Sequence, residues 1–234
     1  MKILAVDSSA VSAGCAIVED DRIIAESFVN VGLTHSETLM PMIVNTLSSA
    51  KLTAKDIDCY AVSSGPGSFT GIRIGVSAVK GMAFTFHTPC IGVSTLEAIA
   101  WSCAGPGGLI CSVMDARRQQ VYNALFLSDG KDIQRLCDDR AISMEELSAG
   151  LRSRQQTVYL AGDGAALFYD EFGKSLPDVR LAPVHLRFAR GYGVAMAAQR
   201  IYASQGAVSP DQLVPTYLRP SQAEREKMNL KLRK

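Results

Sequence analysis

The sequence predicts an α/β protein built from two related lobes. In the first 104 residues, short apolar runs alternate with segments of helical period in the order β-β-β-α-β-α-β-α. After the run GPGG at 105–108 the pattern begins again. The stretches KILAVDSSAVSAGCAIVED and LICSVMDARRQQVYNALFLSDG each contain an apolar strand, an aspartate, a polar turn and a second apolar strand. We therefore predict related domains at 1–104 and 105–220, followed by a basic tail at 221–234.

Three apolar runs open the first domain and predict strands at 2–6, 14–18 and 23–29. Asp20 and Asp21 lie between the last two runs, where they form the tight turn of a hairpin. The domain therefore begins with three strands in succession.

A helix is predicted next, from Thr34 onward. Thr34 and Glu37 have the spacing of a capping box, and Leu39, Ile43 and Leu47 recur at helical period. Pro41 lies inside this segment, so the helix is either kinked there or begins later than Thr34.

The remainder of the first domain alternates strands with helices. An apolar run predicts a strand at 57–62, which leads through a glycine-rich turn into a helix at 70–86. A fifth strand is predicted at 89–93, and Ser94 or Thr95 caps a helix through Trp101.

The second domain is predicted from the same signals. Strands at 109–114 and 121–127 precede the turn SDG at 128–130. A helix at 143–151, a strand at 157–161 and a long helix at 187–204 complete it.

Composition limits the class of protein. The chain has 234 residues, of which 47% are hydrophobic and 20% charged, as in a globular protein with a sizeable core. The N-terminus lacks the pattern of a signal peptide, and the most apolar stretch, 72–86, contains Arg73 and Lys80 and is too short to span a bilayer. We expect a cytoplasmic protein with no membrane contact. The six cysteines show no C-x-x-C pair and are expected to be small buried apolar residues.

Charge is unevenly distributed. The net charge is +1, which gives the chain as a whole no strong attraction for nucleic acid. Residues 219–234 carry +4, which leaves −3 on the remainder. The basic tail could contact nucleic acid or an acidic partner surface, although short charged termini are usually solvated.

The run SSGPGSFTGIRIG at 63–75 resembles a phosphate loop without matching one. A Walker A motif needs a lysine after the last glycine, and the dinucleotide fingerprint needs a third glycine where Thr70 stands. One interpretation is a strand-to-helix turn with Ser68 or Thr70 as N-cap. Another is an anion site at the helix N-terminus.

The helix after this turn is rich in small residues. Gly71, Gly75 and Gly81 lie within eleven positions, although each glycine costs about 1 kcal/mol relative to alanine. Close approach by another helix would explain them. The side of the preceding helix with Met40 and Met42 could meet a partner, or both helices could pack only within the chain.

Taken together, several motifs resemble one family. VDSSAVSAG, THSETLMPMI, SSGPGSFTGIRIG, IGVSTLEAIA, VMDARRQQVY and PTYLRP occur in the order found in bacterial TsaB (YeaZ) proteins. The resemblance covers nearly the whole chain, and S-G-P-G-S-F-T-G-x-R-x-G is its most specific part. It implies an actin-like (ASKHA, Hsp70-like) α/β fold with two β-β-β-α-β-α lobes and mixed sheets.

The resemblance also implies a role in making threonylcarbamoyladenosine beside the anticodon of tRNA. The chain would be a non-catalytic partner of a TsaD-type catalytic paralogue, joined by a TsaE-type ATPase, and would form a homodimer when the paralogue is absent. Contact with tRNA would be indirect or weak. No cofactor would be tightly bound, and weak ADP or ATP binding at the partner interface is the most that is implied.

The implied partner interface lies on the helices at 34–48 and 70–86. Its predicted residues are His35, Leu39, Met40, Met42, Ile43, Leu47, Thr70, Gly71, Ile74, Gly75, Ala78, Gly81 and Met82. The residues Asp7, Ser8 and Ser9 occupy the position of a nucleotide cleft in such folds, and this cleft would be vestigial. Asp7 could equally cap the first β-hairpin.

Departures from an active enzyme predict a pseudo-enzyme with no catalytic or metal-binding residues. The catalytic paralogue carries a His-x-x-x-His metal pair where this chain has Thr95 and Ile99. The second-lobe hairpin, DARRQ at 115–119, has no phosphate-binding glycine. The alternative is a free-standing ASKHA ATPase or peptidase, supported by Asp7 and the glycine run. Arg117, Arg118, Arg187 and Arg190 could contact phosphate or simply face solvent.

Overall fold

The computed structural model describes residues 1–32, 34–105 and 107–219 and contains two mixed sheets in that part of the chain. The predicted tail at 221–234 lies outside the described residues. The strands are β1 (Lys2–Asp7), β2 (Ala13–Glu19), β3 (Arg22–Val29), β4 (Cys59–Gly65), β5 (Cys90–Ser94), β6 (Gly108–Asp115), β7 (Gln120–Ser128), β8 (Ile133–Arg135), β9 (Arg140–Ser143), β10 (Val158–Ala161) and β11 (Val179–Leu181). The helices are α1 (His35–Ser49), α2 (Phe69–Phe86), α3 (Thr95–Ser102), α4 (Met144–Arg152), α5 (Ala165–Glu171) and α6 (Gly191–Gln205).

The two sheets have the same core arrangement. In the first, with order β3-β2-β1-β4-β5, β1 pairs antiparallel with β2 and parallel with β4. In the second, β6 pairs antiparallel with β7 and parallel with β10, which pairs with β11. The prediction of two related lobes with mixed sheets is confirmed. Three short strands (β8, β9 and β11) and α5 were not predicted, because segments of three to seven residues are too short to show a period.

The predicted division of the chain at residue 105 does not separate two independent bodies. Helix α3 lies between the sheets and packs against both β4 and β6. Helix α6 belongs to the second half of the sequence, yet it packs on β1 and β2 of the first sheet. The two lobes therefore share one apolar core, in which residues of both sheets and of α3 and α6 are buried.

The segment at 206–219, called the C-terminal strap below, returns to the first lobe. Val208 forms an antiparallel bridge with Cys90, with N–H to O distances of 2.8 and 2.9 Å. Leu213 is buried in the core beneath α2, and Thr216 donates its N–H to the carbonyl oxygen of Ser64 at 2.7 Å. The strap is thus attached to the first sheet along its length.

The start of α1 corrects one local prediction. Thr34 is the N-cap, and the helix runs from His35 through Pro41, so the proline does not delay its start. The predicted capping box is wrong, because the Thr34 side chain makes no capping hydrogen bond and instead accepts one from Ser36 Oγ at 3.5 Å. Helix α6 also begins later than predicted, at Gly191, because the backbone of its N-cap Arg190 is extended.

The cysteine prediction is confirmed. Five of the six cysteines are buried, Cys137 is half-buried, and all six are free thiols. Burial raises the pKa of Cys15, Cys59, Cys103 and Cys111 to about 12. In the described residues, no helix combines the length and apolar character needed to cross a bilayer.

Candidate functional site

The glycine-rich turn between β4 and α2 is a helix cap. Ser68 is the N-cap of α2, and its Oγ accepts a hydrogen bond from the N–H of Gly71 at 3.2 Å. Of the two predicted caps, Ser68 is therefore correct, and Thr70 lies inside the helix with its side chain exposed.

Two glycines of this turn let neighbouring backbone approach closely. A Cβ at Gly67 would overlap the carbonyl oxygen of Ser9, which accepts the N–H of Ser68 at 2.7 Å. A Cβ at Gly65 would overlap the carbonyl oxygen of Thr216 in the C-terminal strap. The turn is thus fitted between the β1–β2 connection and the strap.

The small residues at the start of α2 serve contacts within the chain. A Cβ at Gly71 would overlap the carbonyl oxygen of Ser8, and a Cβ at Gly75 would overlap Ser8 Oγ. Ser8 Oγ donates to the carbonyl oxygen of Gly71 at 2.9 Å. This corrects the interpretation that these two glycines permit helix contact across chains. Gly81 differs, because a Cβ there would meet nothing within 4 Å.

The outward sides of α1 and α2 carry exposed apolar side chains. Met40 is 42% exposed and Val44 56% exposed on α1, and Phe84 is 67% exposed on α2. The two helices pack against each other, and exposed Gly81 lies one turn before Phe84. We call these four residues the helical face. It contains two members of the predicted interface, Met40 and Gly81.

Most other predicted interface residues contribute to the core of the first lobe. Leu39, Met42 and Ile43 are buried beneath α1, which corrects the assignment of their side chains to a partner surface. The remaining five are half-buried: His35, Leu47, Ile74, Ala78 and Met82. His35 Nε2 lies 2.6 Å from the carbonyl oxygen of Ala10 and fixes α1 to the β1–β2 connection.

Asp7 lies beneath the β1–β2 connection with Ser8 and Ser9, and all three are buried. Burial raises the pKa of Asp7, and the hydrogen bond from Ser9 Oγ at 2.8 Å opposes that rise. Asp7 Oδ2 has no hydrogen-bond partner among the described residues. Ser9 lines the cleft described next, whereas Asp7 is below it.

A cleft of about 400 Å³ opens between the lobes. Its walls come from the connections after β1, β4, β6 and β10 and from the end of the strap. Its lining includes the polar side chains of Asp115, Arg117, Asp163, Tyr217 and Arg219. Sequence reasoning did not associate the strap with this cleft, because Tyr217 and Arg219 are about a hundred residues from the hairpin they approach.

Among the acidic side chains that line this cleft, Asp163 has the most strongly shifted pKa. Burial raises its pKa to about 6, and the negative charges of Asp115 and Asp7 add to the rise. Its Oδ1 has no partner among the described residues. The cleft therefore contains an acid that is partly protonated near neutral pH.

The β6–β7 hairpin forms the second-lobe wall without glycine. Arg117, Arg118 and Gln119 all have left-handed backbone, with φ of 63°, 56° and 61°. Residues other than glycine adopt this backbone conformation only at a cost in energy. Asp115 supports the turn by accepting the N–H of Arg117 at 2.7 Å and pairing with its guanidinium at 3.3 Å. A turn that binds phosphate through its backbone needs glycine, so that the ligand can approach the N–H groups. This turn has side chains at those positions instead.

Other candidate residues have structural surroundings. Thr95 and Ile99 are buried in the shared core. Arg187 donates to the carbonyl oxygen of Ala182, and Arg190 pairs with Glu26 at 2.8 Å. Within the ranges that the structure describes, no three His, Cys, Asp or Glu side chains are placed to hold a metal ion.

Sequence comparison places the chain among proteins of one pathway. The family model described as TsaD, tRNA N6-adenosine threonylcarbamoyltransferase, matches residues 30–225. The tRNA threonylcarbamoyladenosine biosynthesis protein TsaB of Bacillus subtilis is 32% identical over 71% of this chain and 73% of that protein. TsaB of Escherichia coli is 33% identical over 57% of this chain and 58% of that protein.

Solved structures agree on the fold. YeaZ from Pseudomonas aeruginosa superposes with a TM-score of 0.79 and 24% identity, over 93% of this chain and 99% of that one. A second Pseudomonas aeruginosa structure, described as similar to peptidase YEAZ, also has a TM-score of 0.79, with 23% identity and the same coverage of both chains. A dehydratase activator from Clostridium difficile with bound ADPNP reaches 0.51 at 10% identity, over 87% of this chain and 95% of that one. The actin-like ASKHA fold predicted from the sequence is confirmed.

Proposed function

Because the chain belongs to the TsaB (YeaZ) family of tRNA threonylcarbamoyladenosine biosynthesis proteins, we propose that it is the non-catalytic subunit that docks a TsaD-type catalytic paralogue. A TsaE-type ATPase joins this pair in the proposed assembly. A homodimer forms through the same surface when the paralogue is absent, and tRNA contact is indirect or weak.

The helical face carries this proposal. Met40, Val44 and Phe84 expose apolar surface that the chain does not cover, and exposed apolar patches on folded proteins mark interaction sites. Gly81 has open space above it, so another helix could approach α2 closely there. Weak ADP or ATP binding at the resulting interface is part of the proposal.

The cleft supports the non-catalytic part of the proposal. The β6–β7 turn carries Arg117, Arg118 and Gln119 in place of the glycines that a phosphate-binding turn of this fold would have, and Arg117 lines the cleft. Asp7 and Ser8 are packed under α2 and do not line the cleft. We propose that any nucleotide cleft here is vestigial.

The decisive experiment compares two matched glycine substitutions. Gly81→Arg places a long charged side chain on the helical face, and Gly150→Arg does the same on α4 of the second lobe. Neither position has an atom within 4 Å of a new Cβ, so both variants should fold. Calorimetric titration with the TsaD-type paralogue should show at least tenfold weaker binding for Gly81→Arg only. Equal affinities would refute the docking surface.

The pathway itself is tested in cells. We expect threonylcarbamoyladenosine in tRNA to fall when this protein is depleted, while other modified nucleosides stay constant, as measured by nucleoside mass spectrometry. Complementation with Gly150→Arg should restore the nucleoside, and complementation with Gly81→Arg should not. An unchanged level on depletion would remove the proposed role.

A free-standing ATPase or peptidase is the second candidate function. The interlobe cleft and its Asp163 favour it, as does the likeness to a structure described as peptidase-like. Purified protein should then hydrolyse ATP or a peptide at a rate that Asp163→Ala abolishes. We expect no turnover, since the hairpin lacks the glycines that an ATPase of this fold needs.

A further inference from the structure

The C-terminal strap contacts the outward side of α2 through two cationic side chains. Lys80 Nζ donates to the carbonyl oxygen of Leu213 at 3.0 Å and to that of Asp211 at 3.2 Å. Arg73 Nε donates to the hydroxyl of Tyr217 at 2.9 Å. Arg73 is exposed on α2, so a molecule that docks on this helix can reach the guanidinium that holds the strap.

Tyr217 also belongs to the wall of the cleft. Its ring centroid lies 4.7 Å from that of Phe69, and the Arg73 guanidinium lies 3.7 Å above the Phe69 ring. Both aromatic rings line the cleft. A guanidinium over an aromatic face is attracted by the ring quadrupole, so the three side chains form one packed unit between α2 and the cleft.

Two residues further along, the strap reaches the second lobe. Arg219 Nη1 donates to the carbonyl oxygen of Ala116 at 3.2 Å. Ala116 begins the hairpin whose next three residues have left-handed backbone, a conformation that persists only where surrounding contacts support it. The strap supplies one of those contacts from outside the hairpin.

We propose that the strap couples the exposed side of α2 to the β6–β7 hairpin at the mouth of the cleft. A protein that engages Arg73 weakens its bond to Tyr217, which loosens the strap and withdraws Arg219 from Ala116. The regulatory part of this inference rests on the proposed docking function. Coupling of this kind is reciprocal. If binding of the partner changes the affinity of the cleft for a ligand beside Tyr217 and Arg219, that ligand changes the affinity for the partner by the same factor.

Hydrogen exchange on the full chain tests the coupling without any partner. Thr216 N–H reports on the strap, Val208 N–H on its attached beginning, and Gln120 N–H, which donates to Arg117 O at 3.2 Å, on the hairpin. In Arg73→Met, Thr216 and Gln120 should exchange about three- to tenfold faster, with Val208 unchanged. Ser77→Ala, one turn away on the same side of α2, is the control.

The hairpin signal separates coupling from a local structural effect. Unchanged Gln120 exchange in Arg73→Met would overturn the proposal, since loss of a purely local contact would change only α2 and the strap. Tyr217→Phe removes the hydroxyl but keeps the ring, and it should also accelerate hydrogen exchange of the Gln120 N–H. No change in that variant would also contradict the proposal.

The TsaD-type paralogue then tests the regulatory step. A saturating concentration of the paralogue should accelerate exchange of the Gln120 N–H at least threefold in the wild type. It should have little effect on that rate in Arg73→Met. Protection of α2 amides with constant Gln120 exchange would overturn the regulatory step. If the paralogue does not bind at all, the docking function fails, and the comparison of the free variants alone decides the coupling within the chain.

Discussion

Ser8 Oγ donates a hydrogen bond to the carbonyl oxygen of Gly71 at 2.9 Å, and the carbonyl oxygen of Ser8 occupies the space that a side chain at Gly71 would need. The β1–β2 connection and the first turn of α2 are therefore in backbone contact. This contact explains why a helix in a stable domain carries glycines that isolated helices disfavour.

Alanine at Gly71 should destabilise the fold, whereas alanine at Gly81 should not. The new Cβ at Gly71 overlaps backbone that cannot move aside, and overpacking of this kind costs about 1–3 kcal/mol. Gly81→Ala fills open space and should stabilise the helix by up to about 1 kcal/mol. Urea denaturation of both variants measures the two free energies of unfolding. Equal values would contradict the assigned contact.

Glutamate at Met40 should weaken binding of the paralogue at least tenfold. Met40 is 42% exposed on the helical face, so a carboxylate there would be desolvated in the complex at little cost to the free protein. Leu167→Glu is the matched control, because Leu167 is 43% exposed on α5 of the second lobe. Surface plasmon resonance with immobilised paralogue gives both affinities. If the control loses as much affinity as Met40→Glu, the helical face is not the docking surface.

Asp163 should make the protein less stable as pH rises from about 4 to 6. The folded state holds the proton more tightly than the unfolded state, because burial raises the pKa of Asp163 to about 6. The folded state therefore binds more protons in this window, and its stability falls with increasing pH. Asp163→Asn should remove this dependence and stabilise the protein at pH 7 by the order of 1–3 kcal/mol. Urea midpoints at pH 4.5 and 7 for both proteins check it, and parallel pH profiles would exclude the effect.

Glu26 should be more important for stability than Glu19, although each pairs with an arginine. Glu26 accepts from Arg190 at 2.8 Å and from the N–H of Tyr192 at 3.2 Å, and the pair is largely shielded from solvent. Removing one partner of a fully buried pair costs about 3–5 kcal/mol, so removing one from this partly buried pair should cost about 1–3 kcal/mol. Glu19 pairs with exposed Arg22 and with partly exposed Lys2 at 3.0 Å, and pairs open to solvent contribute little, so Glu19→Ala should cost about 1 kcal/mol or less. Thermal unfolding of Glu26→Ala and Glu19→Ala compares them, and similar losses would show that Glu26 does not anchor α6.

Several features of the fold follow from local sequence. The apolar runs that predicted β1, β4, β6 and β10 form those strands. Apolar alternation and β-branched residues favour a strand over only a few adjacent positions, so the sequence alone indicates it. Ser68 caps α2, since a cap depends on the three residues that follow it. The family motifs likewise pointed to the ASKHA fold.

Which face each helix buries was not available from the sequence. Leu39, Met40 and Met42 are all apolar, but only Met40 remains exposed once α1 has packed on the first sheet. The glycines of α2 share one composition, yet Gly71 meets the Ser8 backbone and Gly81 meets nothing. These differences depend on which part of the chain packs against each residue, and that part is distant in the sequence.

The sequence by itself determined the order of elements in the first lobe, the repeated strand pattern, the absence of glycine in the β6–β7 turn and the family. Only the tertiary structure decided that α6 packs on the first sheet and that Arg73, Tyr217 and Ala116 are joined through the strap. The physical reason is range. Strand period, caps and turn chemistry are set by adjacent residues, whereas Arg73 and Tyr217 lie 144 positions apart and meet only after both sheets have formed a common core.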